Sequence, residues 1–250
     1  MSDATCIYSI VIPARNEAEN IASLLDGIAA ACAPLGPWEV IVVDDASDDG
    51  MADLLSRRME VMPELRVIRH DRAGGQSAGV HSGVRAARGT YVCTLDGDGQ
   101  NPPSEIPNMV APFAGPGAAE IGLVAGQRVG RQDTASKRYA SKFANALRAR
   151  ILKDGTRDTG CGLKAFRRDD FLTLPYFDHM HRYLPALFAR DGWTIAHVDV
   201  SHAARGGGRS HYSNVQRALV GIVDLAGVAW LLRRRKKSRP TEVMPARGEV

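Results

Sequence analysis

The chain has 250 residues, is 44% hydrophobic and 24% charged, and carries a formal net charge of +4, the composition of an ordinary globular domain with a short appendage. Its positive charge is local, because Arg233 to Arg239 reads RRRKKSR and the remainder is close to neutral. Cys6, Cys32, Cys93 and Cys161 show no C-x-x-C spacing and MSDATCIYS has no basic-then-apolar start, which argues against a zinc site, a disulfide framework and an export signal.

In chain order, short β-rich runs alternate with helical patterns, which predicts an α/β fold with a mostly parallel sheet flanked by helices. Tyr8 to Ile12 (YSIVI) reads as a buried strand stopped by Pro13, and Asn20 to Ala33 as a helix ending near Pro34. Glu39 to Val43 reads as a second strand, Ala52 to Met62 as a helix and Leu65 to Arg69 as a third strand. Gln76 to Ala87 is a helix of small residues, Thr90 to Leu95 a strand, and Gly122 to Gly126 another. Thr134 to Leu152 has helical spacing, with Tyr139, Phe143 and Leu147 on one face and Lys137, Ser141 and Arg148 opposite, flanked by Arg138. Such a basic face serves either solvation or the clamping of a phosphate. The last apolar stretch, Ala218 to Leu232, is 15 residues long and contains Asp224, which is too short to span a bilayer.

Acidic clusters follow two of these strands. Ligands bind at the C-terminal ends of parallel strands, and that is where Asp44 and Asp45 (VIVVDDASDDG) and Asp96 and Asp98 (LDGDGQNPP) fall. Carboxylates at i and i+2 leaving a strand through glycines suit a hard divalent cation, Mg²⁺ or Mn²⁺, shared with substrate phosphates. Asp98 and the Gln100 amide oxygen are the candidate ligands, with Asp96 at the sugar or a metal-bound water. An Asp-Gly turn explains the same residues by backbone geometry alone. Asp44 or Asp45 suits a base or ribose, while Asp48 and Asp49 equally suit helix capping. The glycines of RAGGQSAGVHSGV allow either an anion site at a helix start or close helix packing.

SIVIPARNEAENI, VIVVDDASDDG, LDGDGQNPP, GQRVGRQD and DTGCGLKAFRR, in this order, resemble a family 2 glycosyltransferase, most closely its polyprenyl-phosphate (dolichol-phosphate mannose synthase-like) branch, over roughly residues 7 to 213. The resemblance implies a GT-A (Rossmann-like) fold, a UDP- or GDP-linked sugar donor, Mg²⁺ or Mn²⁺, and a lipid phosphate acceptor. It implies that Pro13, Ala14, Glu17 and Asp44 line the nucleotide pocket and that Asp96, Asp98 and Gln100 surround the metal. It places the acceptor phosphate at Arg128, Lys137 or Arg138, and Ser141. Arg205 and Ser210, with His211, of the glycine-rich HAARGGGRSHYSN segment would close over the diphosphate as a lid, Arg205 adding positive charge. The chain departs from the family's D-x-x-S-G-F-R segment at Cys161 and Lys164. Cys161 lacks a neighbouring base and reads as packing, and the Asp178, His179, His181, Arg182 cluster is a weak metal or acid–base signal.

The expected organisation is a GT-A domain over 1–213, an amphipathic, basic membrane-associating segment over 214–238 and a disordered tail over 239–250. Val215, Leu219, Ile222, Ala226 and Trp230 form an apolar stripe opposite Arg217 and Asp224, and the RRRKK that follows suits an anionic membrane surface. The expected protein is therefore a peripheral enzyme on the cytoplasmic face of the cell membrane. Nucleic acid is disfavoured, because no aromatic platform accompanies the basic run. A soluble or polysaccharide acceptor, or a catalytically silent nucleotide-sugar-binding protein, are the competing expectations.

Overall fold

The structure, a computed structural model, describes residues 6–129, 148, 150–152, 154–201, 214–234 and 238, with the backbone alone for 214–220. Its centre is a seven-stranded sheet of β1 (Tyr8–Ala14), β2 (Trp38–Asp44), β3 (Leu65–Arg69), β4 (Tyr91–Thr94), β5 (Ile121–Arg128), β6 (Lys164–Arg167) and β7 (Thr194–Val200). The order across the sheet is β3-β2-β1-β4-β6-β5-β7. All neighbours are parallel except β6, which runs antiparallel to both β4 and β5.

Continuous apolar runs such as EVIVV build strands that are covered on both faces. Ile10, Ile12, Val40 and Val42 point into one core with Leu25 and Ile28 of α1 (Ala18–Cys32), Leu55 of α2 (Met51–Met59) and Ile106 of α4 (Ile106–Val110). Val11, Ile41 and Val43 point into a second core on the other face. That core holds Val80 and Val84 of α3 (Gly75–Ala86), Phe171 of α5 (Arg168–Leu172), Leu187 of α6 (Leu184–Arg190) and Val228 of α7 (Asn214–Arg233). The result is three layers, helix–sheet–helix, as the alternation of elements predicts.

Pro13 does not stop β1, which continues to Ala14 in register with Asp44. Val11 O accepts from Leu95 N on the β4 side, whereas Ala14 O accepts from Asp45 N on the β2 side. Position 13 therefore turns its missing N–H toward β4, whose pairing has already ended at Val11 and Thr94, so no ladder bond is lost. Strands β6 and β7 are additions that the sequence pattern does not reveal. Of the predicted Thr134 to Leu152 helix, Arg148 and residues 150–152 are described and helical, and the rest lies outside the described residues.

Helix α7 is apolar on more than one side. Val228 is 1% exposed in the second core, and Leu225 and Leu232 pack beside it. Ile222, Val223 and Trp230 are exposed, and Arg234 lies over the Trp230 ring, 5.7 Å from its centroid. Within the predicted stripe, Ile222, Ala226 and Trp230 thus face away from the domain, and the side chains of Val215 and Leu219 are not described. Among the described residues no helix is long and apolar enough to cross a membrane.

Candidate active site

The C-terminal ends of β2, β1 and β4 lie side by side and carry the two acidic clusters into one crevice. Ala14, the last residue of β1, is the hinge of this arrangement. On one side it pairs with Asp44, and its carbonyl accepts from Asp45 N at 2.9 Å. On the other, Gly97 of the loop after β4 approaches so closely that a Cβ there would lie 3.0 Å from Ala14 Cβ and 3.5 Å from Glu17 Cγ. Pro13, Ala14, Glu17 and Asp44 therefore adjoin the loop that carries Asp96 and Asp98.

Adjacent side chains at the end of β2 point apart, and they do different things. Asp45 turns toward α3, where its carboxylate accepts from Gly74 N at 2.7 Å, Gly75 N at 2.8 Å and His70 Nδ1 at 2.7 Å. Burial works to raise its pKa, but the bonds from Gly74, His70 and Gly75 outweigh that and hold it below the usual carboxylate range. The amides leading into α3 are thereby used by a protein carboxylate, and the small residues of α3 serve packing. A Cβ at Gly79 would come within 2.7 Å of Pro13 Cβ, and one at Gly83 would overlap Val11. Asp44 is fully buried, and its Oδ1 accepts from Ser47 N at 2.8 Å. Its Oδ2 is buried without a hydrogen-bond donor among the described residues and is ion-paired with Arg69 Nε at 3.6 Å. Asp49 accepts from Met51 N and Ala18 N, so it ties down the first residues of α1 and α2. Asn16 and Ala46, with φ of 56° and 58°, hold the two loops in left-handed turns, a strain typical of binding loops.

In the loop after β4, Asp96 Oδ1 accepts from Gln76 Nε2 at 2.6 Å and Oδ2 from Asn101 Nδ2 at 3.2 Å. Burial and the neighbouring Asp98 push its carboxyl above the ordinary range, against the opposing pull of Lys164, Asn101 and Arg128. Gly162 lies flat against this carboxylate, and a Cβ there would overlap it. Asp98 Oδ1 accepts from Gln100 N at 3.1 Å, the local bond expected of an Asp-Gly turn. Among the described residues no group of three or more His, Cys, Asp or Glu side chains is arranged to hold a metal ion. The donors here, the Asp98 carboxylate and the Gln100 amide, are hard oxygens at the crevice mouth, which fit Mg²⁺ or Mn²⁺ provided a substrate's phosphates complete the shell.

Arg128, at the end of β5, forms a two-pronged ion pair with Asp158, Nε to Oδ2 at 2.5 Å and Nη2 to Oδ1 at 2.9 Å. That bond, more than any other influence, raises its pKa. Lys137, Arg138, Ser141, Arg205, Ser210 and His211 lie outside the described residues. Cys161 is fully buried in the first core and its thiol is pushed up by burial, which supports packing over nucleophilic chemistry. The two histidines of the weak cluster turn to different partners. His179 Nδ1 meets Asp224 Oδ2 of α7 at 3.0 Å, while His181 Nδ1 meets Ser77 Oγ at 2.7 Å. Burial above all, then the cations Lys164 and Arg182 and the nearby His179, bring His181 down to about 3, so it is neutral at physiological pH.

Four residues of this site carry no assigned role from the sequence. Gln76 directly follows a Gly-Gly pair at a helix start, and Asn101 follows Gln100 in the metal motif, so each had a local signal. Gly162 and Lys164 reach Asp96 only through the antiparallel placement of β6, which no local pattern announces.

The profile described as Glycosyl transferase family 2 matches residues 9–174. The undecaprenyl-phosphate 4-deoxy-4-formamido-L-arabinose transferase of Pectobacterium carotovorum subsp. carotovorum (strain PC1) is 37% identical over 208 residues, 82% of this chain and 62% of its own. The dodecaprenyl-phosphate galacturonate synthase of Rhizobium johnstonii is 35% identical over 239 residues, 93% of this chain and 68% of its own. This chain thus spans somewhat under two thirds of the length of the Pectobacterium relative. In fold it is similar to glucosyl-3-phosphoglycerate synthase from Mycobacterium tuberculosis, solved with Mn²⁺, UDP and phosphoglyceric acid, with a TM-score of 0.69 at 21% identity over 94% of this chain and 81% of that one.

Proposed function

The chain belongs to glycosyl transferase family 2, and from that premise we propose that it moves a sugar from a UDP- or GDP-linked donor onto a polyprenyl phosphate at the cytoplasmic face of the membrane. The observation that supports the reading is that Ala14 sits between Asp44 and the Asp96–Asp98 loop at one edge of the sheet. The two relatives' names agree on a polyprenyl-phosphate acceptor and differ in the sugar, which supports the acceptor class and leaves the sugar to be determined.

In this reading Pro13, Ala14, Glu17 and Asp44 line the nucleotide, and the buried Oδ2 of Asp44 receives a donor from base or ribose. Asp45 shapes the same wall through Gly74 and Gly75. Asp98 and Gln100 would hold Mg²⁺ or Mn²⁺, which when bound supplies positive charge for the departing diphosphate. Asp96, kept in place by Gln76 and Asn101, orients the sugar. Arg205 and Ser210 would close over the diphosphate, excluding water. Arg128, Lys137 or Arg138, and Ser141 would grip the acceptor phosphate, Arg128 from the fixed orientation that Asp158 gives it.

The reaction is one inverting displacement: the bond from the anomeric carbon to the diphosphate oxygen breaks as a bond to the acceptor's phosphate oxygen forms. A phosphate monoester has a second pKa of about 6, so the attacking oxygen is already ionised at neutral pH and no side chain has to remove a proton. Membrane contact would come from the outward Ile222, Ala226 and Trp230 with the basic run behind them. Basic residues of this kind each contribute about 1 kcal/mol at an anionic surface.

The test is transfer of labelled sugar from a panel of nucleotide sugars to a short polyprenyl phosphate with Mn²⁺. Label that extracts into organic solvent supports the proposal. Label transferred only to a water-soluble saccharide would reassign the acceptor, and donor binding without any turnover would make the chain a nucleotide-sugar-binding protein.

A further inference from the structure

Strand β5 runs past its antiparallel partner. The pairing with β6 ends at Ala125 and Lys164, and Gly126 N makes one further bond, to Leu163 O at 3.1 Å. Beyond it a side chain takes over from the backbone. Gln127 is 2% exposed, and its Oε1 accepts from both Arg157 N and Asp158 N, each at 3.0 Å. Its Nε2 donates to Gly126 O at 3.0 Å, so both lone pairs of the oxygen and one N–H of the nitrogen are used inside the protein.

The two amides that Gln127 holds belong to the turn that presents the Asp158 carboxylate. That carboxylate accepts from Arg128 Nε and Nη2, and from Gly160 N at 3.1 Å. Consecutive residues of β5 thus hold one turn twice, Gln127 by its backbone and Arg128 by its carboxylate. A tie on the outside of the turn is weaker. Arg157 Nη2 pairs with Asp199 Oδ1 at 2.7 Å, but the two side chains are 73% and 60% exposed, and an ion pair so open to water holds little. The fork from Asp158 occupies Nε and Nη2 of Arg128, which fixes the plane of the guanidinium and the direction of Nη1. The charge so oriented reaches Asp96, where it opposes the rise of the carboxyl pKa.

We propose that Gln127 is a positioning residue for acceptor binding. Through the backbone of Arg157 and Asp158 it sets the Asp158 carboxylate, and so the angle at which Arg128 meets the acceptor's phosphate. This rests on the reading above that Arg128 grips that phosphate. Without the amide oxygen, both N–H groups lose their acceptor and the carboxylate can drift from the guanidinium, which then meets a phosphate at a poorer angle. The donor pocket at the ends of β1 and β2 shares no hydrogen bond with this turn, so nucleotide-sugar binding is left as it was.

Initial rates are measured on the full chain with Mn²⁺, varying in turn a short polyprenyl phosphate and the nucleotide sugar that the donor panel identifies. Gln127→Met, close in length but without a hydrogen-bond acceptor of that strength, should raise KM for polyprenyl phosphate by about 10-fold, the scale of one charge-assisted hydrogen bond. Donor KM, and donor affinity by calorimetry without acceptor, should stay at wild-type values. Arg128→Met should raise the same acceptor KM at least as far. Gln127→Met combined with Arg128→Met should be no worse than Arg128→Met alone, because the amide acts only through the guanidinium. Thermal unfolding checks that each protein is folded. Should Gln127→Met fail to fold, Gln127→Thr replaces it, since its β-branched side chain suits a strand but is too short to reach both amides. A folded Gln127 variant with wild-type acceptor KM would overturn the inference and leave the glycosyltransferase reading standing. So would a matching rise in donor KM, or a double variant in which the two losses multiply, since either makes Gln127 a general support of the fold. An Arg128→Met protein with unchanged acceptor KM would remove the premise about Arg128, and the inference with it. Wild-type protein that transfers no sugar to polyprenyl phosphate would do the same.

Discussion

Replacing Gly162 with Ala should cripple sugar transfer while leaving the protein folded. The added Cβ would overlap Oδ1, Oδ2 and Cγ of Asp96. To regain ordinary contact the carboxylate has to shift by about 1 Å, and a misplacement of about 1 Å at a reacting centre can cost on the order of 100-fold in rate. The same shift stretches the bonds from Gln76 at 2.6 Å and Asn101 at 3.2 Å that fix Asp96. Overpacking a rigid core costs about 1–3 kcal/mol, but the atoms met here end a side chain at the crevice edge, so the stability loss should fall at the low end. The assay pairs kcat/KM for transfer with a thermal unfolding curve. A Gly162→Ala protein that unfolds like wild type and also transfers sugar at the wild-type kcat/KM would refute the placement of Asp96 at the reacting centre.

Asp45→Asn should destabilise the protein at pH 7 by about 2–3 kcal/mol, the scale for hydrogen bonds to an ionised group, because Gly74 N, Gly75 N and His70 lose a charged acceptor. The folded-state pKa of Asp45 is depressed, so its contribution is present above the unfolded value of about 3.9 and disappears as pH falls through the folded value. Urea titrations at pH 7 and pH 3 should therefore show a wide gap between wild type and variant closing in acid; a gap of equal size at both pH values would contradict this. Ile222→Ser with Trp230→Ser should weaken co-sedimentation with anionic vesicles and leave Tm unchanged, since both side chains are exposed. Truncation after Gly227 is a poorer test, because it also removes the buried Val228. Unaltered vesicle binding by the double variant would remove the membrane role of α7.

The central strands were legible because β1, β2 and β4 are short, continuously apolar runs, and the carboxylates that end β2 and follow β4 announced the crevice. The individual roles were not. Asp44 and Asp45 are neighbours in sequence, and only the pleat decides that Asp45 turns to α3 while Asp44 faces Ser47 and Arg69. Strand β6 is four residues long and begins with a buried lysine, so no apolar run marks it. Its antiparallel insertion is nevertheless what brings Gly162 and Lys164 to Asp96. The Arg128–Asp158 pair joins residues thirty positions apart and is equally invisible to local pattern. In α7 the predicted stripe accounts for the outward side, but Val228, which breaks the stripe, is the residue that seats the helix on the domain.

The most direct measurement of the central idea compares wild type with Asp98→Ala in lipid-linked transfer, each after chelation and again after Mn²⁺ is restored. The account predicts that wild type loses activity on chelation and regains it with Mn²⁺, while Asp98→Ala stays inactive in both states despite a normal unfolding curve. An Asp98→Ala protein with undiminished, Mn²⁺-responsive turnover would contradict it.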